Sequence, residues 1–196
     1  MSPILGIYAS QISGHLWAPS GAYDSIATTT VGAGGAATIT FSSIPSTYTH
    51  LQVRYMGMTS RATYGQDAMN VAFNGVGGTS YSRHDLRADG SAVSAGSATS
   101  QGTIDLNYAT LGTTVSSYPG VGVIDILDYA NTSKYKTLRY LGGVDENGTI
   151  AGYPGAVVYA SGLFQSTSAI SSITFTPQLA AFAQYTSFAL YGIKGN

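Results

Sequence analysis

The sequence predicts an all-β protein: an antiparallel β-sandwich of the jelly-roll kind, following an extended N-terminal arm. Three observations predict it. Helix formers are scarce, since Glu146 is the only glutamate and 25 glycines interrupt the chain. β-Branched and aromatic residues, with 15 tyrosines among them, collect instead in short runs bounded by Gly, Ser, Asn or Asp. Several of these runs alternate apolar and polar residues, the period of a strand with one buried face. Residues 1–24 read as the arm and residues 25–196 as the sandwich.

In chain order, the arm sets Ile4, Leu5, Ile7, Leu16 and Trp17 among Pro3, Gly6, Gly14, Pro19 and Gly21, so it supports neither a helical stripe nor an alternating strand. Ser25–Val31 and Ala36–Phe41 flank Gly32–Gly35 and read as a hairpin. His50–Met56 places Leu51, Val53 and Tyr55 on one face, and Gln52, Arg54 and Met56 on the other. Met69–Phe73 ends at the turn pair Asn74-Gly75, and Thr79–Leu86 and Thr103–Tyr108 follow. Between those last two, Ala88–Gly102 is nearly all small residues and reads as an exposed, mobile tip. Gly122–Tyr129 is apolar on both faces, as a strand covered on both sides would be. Tyr135–Val144, Ala156–Phe164, Ile170–Phe175 and Thr186–Ile193 complete about ten strands, with Asp145-Glu146-Asn147-Gly148 as a turn.

Composition narrows function by exclusion. A net charge of −1 with 9% charged residues is not that of a nucleic-acid binder. No apolar run reaches the roughly 18 residues of a membrane span, and the first ten residues lack the basic start of a signal peptide. Without cysteine there are no disulfides, thiolate zinc sites or thiol nucleophiles. The three histidines and nine acids show no metal-ligand spacing, and the glycine-rich stretches lack the Lys-Ser/Thr of a phosphate loop, so no cofactor is expected. No nucleophile elbow of the G-x-S-x-G type occurs. His84 and Asp85 are adjacent on a strand and face opposite sides, as do Asp125 and Asp128, so neither pair forms a catalytic couple. Asp125, set between Val123 and Leu127, reads as a buried structural carboxylate held by Arg, Lys, a Tyr hydroxyl or backbone N–H groups. The chain is expected not to be an enzyme.

Tyrosine stands above this background. Tyr64, Tyr81, Tyr108, Tyr118 and Tyr153 fall in or beside turns, where a ring bearing a hydroxyl can stack on a sugar or seal an interface.

Four segments carry a resemblance: Tyr23–Val31 (YDSIATTTV), Phe41–Leu51 (FSSIPSTYTHL), Val123–Tyr129 (VIDILDY), and Ser172–Thr176 with Ser187–Lys194 (SFALYGIK). Together they resemble a group of small tailed-bacteriophage virion proteins, tail-fibre-like or minor structural proteins. The resemblance implies a β-sandwich subunit on the particle exterior, commonly a homotrimer and in contact with other virion proteins, made in the bacterial cytoplasm; the loop tyrosines and the small-residue tip favour a host surface glycan as a further partner. The resemblance supplies no catalytic residues. The chain lacks a fibre's long shaft, which keeps a capsid decoration, or cement, role beside the fibre role, with the arm as the assembly interface. A carbohydrate-binding module and a glycan hydrolase are the remaining alternatives.

Overall fold

The computed structural model describes residues 22–106, 111–150 and 153–195. The chain is all-β, with fourteen strands and no helix among the described residues. The strands are β1 (Tyr23–Thr30), β2 (Ile39–Phe41), β3 (His50–Thr59), β4 (Gln66–Asp67), β5 (Met69–Phe73), β6 (Tyr81–Ala88) and β7 (Val93–Gln101). Then follow β8 (Ile104–Asp105), β9 (Leu111–Thr113), β10 (Gly120–Leu127), β11 (Lys136–Ile150), β12 (Tyr153–Phe164), β13 (Ile173–Pro177) and β14 (Ser187–Ile193).

They form a ten-stranded sheet ordered β1-β14-β3-β10-β11-β12-β6-β7, with β4 and β9 at its side, and a four-stranded sheet ordered β2-β13-β5-β8. Pairing is antiparallel except between β3 and β9. The two sheets describe an antiparallel β-sandwich.

Alternation makes the core. Leu51, Val53 and Tyr55 of β3, Ile124 and Ile126 of β10, Leu138 and Tyr140 of β11, and Phe188 and Leu190 of β14 point inward from the large sheet. The small sheet answers with Phe41, Val71, Phe73 and Phe175. Rings lock the layers: Phe175 lies 4.9 Å from Phe188, and Phe73 lies 5.5 Å from Phe164, centroid to centroid. Such tilted contacts suit the ring quadrupoles.

The Asn74-Gly75 turn forms as expected, with φ of 54° and 66° and the Val76 N–H donating to the Phe73 carbonyl at 2.9 Å, although β5 and β6 then enter different sheets. Five other expectations are corrected. Gly32–Gly35 turns the chain, but β1 pairs with β14 and β2 with β13, so the turn crosses between sheets instead of closing a hairpin. A local turn signal says nothing about which partner each flanking strand takes. Asp145–Gly148 is a register shift inside the long β11–β12 pairing, with Asp145 opposite Gly155 and Ile150 opposite Tyr153. Asn147 and Gly148 supply the positive φ of that irregularity. The small-residue stretch is an edge strand, β7, paired to β6 through Leu86↔Ala95 and Arg87↔Ser94; backbone hydrogen bonds hold it where side-chain bulk does not. Of Thr103–Leu106, only Ile104–Asp105 is strand, as β8, and residues 107–110 lie outside the described residues. β10 is covered on one face only, since Ile124 and Ile126 are buried while Val121 and Val123 are exposed.

β1 begins at Tyr23, inside the stretch assigned to the arm. Ile4, Leu5, Ile7, Leu16, Trp17 and Tyr108 lie outside the described residues.

Candidate functional site

Two surfaces bring together side chains that the interior does not use. The first is the outer face of the large sheet. Register places Met56, Val121, Gly143, Val157, Ala88 and Val93 in one row across β3, β10, β11, β12, β6 and β7. A second row holds Arg54, Val123, Leu141, Tyr159, Leu86 and Ala95. Their large apolar members are exposed, Leu141 by 56% and Val157 by 61%. A groove of about 380 Å³ opens between Val121, Leu141 and Val157, lined by Gly142 and Gly143. Six strands at about 4.8 Å and two rows about 7 Å apart make a stripe on the order of 400 Å².

The next row is polar: Gln52, Asp125, Arg139, Ser161 and His84. Asp125 is thus half-buried on this face and not a core carboxylate, and its carboxylate accepts from Gln52 Nε2 at 2.8 Å. The core lies under Ile124 and Ile126, on the opposite face. Arg139 is exposed directly across from Asp125 and makes no ion pair among the described residues.

The second surface is a cleft of about 220 Å³ lined by Arg61, Tyr64, Asp67, Tyr153, Gln178 and Leu179. The loop after β3 is held by Thr113 Oγ1 donating to the Tyr64 carbonyl at 2.6 Å and Ser116 Oγ donating to the Gly65 carbonyl at 3.1 Å. Arg61 Nη1 donates to the Gln66 carbonyl at 2.9 Å, which lays its guanidinium 4.1 Å from the centre of the Tyr64 ring. Tyr64 and Tyr153 meet edge to face, 5.1 Å apart at 75°. Asp67 at the cleft's base is buried; its carboxylate accepts from Thr59 Oγ1 at 3.1 Å and from the Ala68 N–H at 2.8 Å. Burial nevertheless raises its pKa, outweighing those hydrogen bonds and the attraction of Arg61. Glu146 is buried behind the loop, against Gly65, where a methyl group on Gly65 would collide with its carboxylate.

Of the tyrosines singled out in the sequence, Tyr64 and Tyr153 come together here. Tyr118 is half-exposed on the loop that carries Ser116. Tyr81 is a core residue: its ring is fully buried against Phe164 at 4.9 Å, and its hydroxyl donates to the Val76 carbonyl at 3.0 Å and accepts from the Phe73 N–H at 2.9 Å. A tyrosine at a strand's first residue reads as a turn residue in sequence, yet its ring points inward.

The remaining acids have structural work. His84 is exposed and Asp85 buried, on opposite faces. Arg83 ion-pairs with Asp85 and lies 3.5 Å from Asp105 Oδ2, so the two carboxylates that β6 and β8 bring together are joined by a cation. Asp89 accepts from Ser91 and Ala92 in the β6–β7 turn, and those bonds lower its pKa to about 2. Asp128 is held by Lys134 Nζ at 2.5 Å, which lowers its pKa, while His50 Nδ1 accepts the Asp128 N–H at 2.9 Å. Lys136 is buried, its ammonium donating to the carbonyls of Lys134, Ser166 and Thr167. No group of three metal-ligating side chains occurs among the described residues.

Sequence reasoning missed Arg61, Asp67 and Gln178, which come from three separate segments. Only the Arg61–Tyr64 spacing, within one turn-rich loop, offered a local signal.

No family model and no curated protein matches the chain. Among solved structures, the chain is similar to a GH43 glycoside hydrolase engineered to display both endo-xylanase and exo-arabinofuranosidase activity, at 11% identity and a TM-score of 0.30. That likeness covers 74% of this chain and 30% of the hydrolase chain, and at this level it carries no argument about function.

Proposed function

We propose that the protein is a non-enzymatic structural subunit that works by assembling with copies of itself, on the exterior of a phage particle as a tail-fibre-like or capsid decoration protein. The observation that carries assembly is the exposed apolar stripe on the outer face of the large sheet. At about 400 Å² it is as large as the functional patches of soluble proteins and suits the apolar centre of a subunit interface. The occupant is a second copy of the chain, because the bordering polar row sets Asp125 beside Arg139. Around a threefold axis this face can set each subunit's Asp125 against the Arg139 of the next subunit, so one polar row supplies both halves of the contact. The virion setting and the trimer rest on the sequence resemblance alone.

Light scattering at micromolar concentration is the test. A mass near a multiple of 20.2 kDa is expected, the trimer first, and the double variant Leu141→Asp/Val157→Asp should be monomeric with unchanged circular dichroism. A monomeric wild type overturns the reading. Labelling the protein in intact particles by electron microscopy tests the virion setting separately.

A further inference from the structure

We infer that the cleft between Tyr64 and Tyr153 is a binding subsite for one neutral saccharide ring. This stands apart from the assembly reading, because none of the cleft's residues belongs to the two apolar rows. Four features point to that class of ligand. The cleft, about 220 Å³, is small, with room for a single ring and not for an extended peptide. Tyr64 and Tyr153 stand at 75° to one another and offer a corner of aromatic surface, suited to the C–H face of a pyranose. Neither phenol hydroxyl has a hydrogen-bond partner among the described residues, in contrast to the buried hydroxyls of Tyr55, Tyr81 and Tyr129.

The fourth feature is the polar lining: Arg61 already donates to the Gln66 carbonyl and lies over the Tyr64 ring, and Asp67 at the base accepts from Thr59 and Ala68. What remains on offer is a set of neutral or charge-assisted donors and acceptors: two phenols, the guanidinium edge of Arg61 and the Gln178 amide. Vicinal hydroxyls above an apolar ring face complement that set. The site is also pre-formed, because Thr113, Ser116 and the Arg61–Gln66 bond fix the loop that carries Tyr64.

Saturation-transfer NMR on the full chain tests this with D-glucose, D-galactose, D-mannose and N-acetyl-D-glucosamine, each at about 10 mM, enough to fill a site of millimolar Kd. At least one sugar should take up saturation through its ring C–H protons. The signal should fall about fivefold in Tyr153→Ala and in Tyr64→Ala, the effect of losing one stacked ring. Amide shift changes in the wild type should centre on Arg61, Tyr64, Tyr153 and Gln178, which decides the matter even if a variant does not fold. Saturation of none of the four sugars, signals unchanged in both variants, shifts centred elsewhere, or displacement of the sugar by acetate would each overturn the inference.

Discussion

Two pairs of tyrosines, one inside the sandwich and one on its rim, show what burial does to the same side chain. Tyr55 and Tyr140 lie in the core with rings nearly parallel, 16° apart, and their hydroxyls joined at 2.8 Å. Burial pushes both phenol pKa values far up, because a phenolate there would lose its hydration. Their contact is made possible by Gly122, where a methyl group would come within 2.6 Å of the Tyr140 ring and 2.8 Å of the Tyr55 ring. Tyr64 and Tyr153 also touch, yet neither hydroxyl has a hydrogen-bond partner among the described residues. A core pair must satisfy its polar ends internally; a rim pair can keep them open. The first arrangement contributes stability and the second leaves recognition available.

The comparison breaks most forcefully at Tyr140. Tyr140→Ala should cost about 3–5 kcal/mol, the range for emptying a buried aromatic site, measured by urea denaturation. Gly122→Ala should cost about 1–3 kcal/mol by overpacking the same pair. Tyr55→Phe, which leaves the Tyr140 hydroxyl without its partner, should cost about 1–3 kcal/mol, and adding Tyr140→Phe should recover part of that loss because both polar ends are then gone. On the rim, Tyr153→Ala should cost about 1 kcal/mol or less. A rim variant as damaging as Tyr140→Ala would show that the cleft belongs to the core.

The smallest effect concerns pH. Because the pKa of Asp67 is raised by burial, the folded chain keeps that proton at pH values where the unfolded chain has released it. The resulting stability is complete below about pH 3.9, the ordinary aspartate value, and is lost as pH rises through the raised folded value. Between about pH 4 and 7 the urea midpoint of Asp67→Asn should therefore gain on that of the wild type as pH rises. A difference that stays constant with pH would show that Asp67 is charged in both states.

What the sequence made legible follows from what is local. Alternation in His50–Met56 assigns Leu51, Val53 and Tyr55 to the core, and the structure agrees. Asn74-Gly75 carries its own turn geometry. Pairing is not local: nothing in Gly32–Gly35 reveals that β1 belongs with β14. Nor does the apolar character of Val121 and Val123 say whether a second layer or a second molecule is to cover them. The tyrosine signal was half informative, since Tyr64 and Tyr153 came from it while Tyr81 belonged inside. Arg61, Asp67 and Gln178 meet only after β3, β4 and β13 are in place, so no short motif could announce them.

The position of β14 bears on how the molecule comes into being. It lies between β1 and β3, pairing with Thr30 through Ser187 and with Met56 through the same residue. During synthesis, β1 and β3 leave the ribosome more than a hundred residues ahead of the strand that must separate them. Until Ser187–Ile193 arrives, the inner faces of Val53 and Tyr55 have no neighbour on that side, and the two early strands must be kept from pairing with each other. Folding dominated by such distant pairings belongs to the slow, millisecond-to-second regime. The newborn chain therefore passes through a stage with open strand edges and exposed aromatic surface, when chaperones or dilution decide its yield.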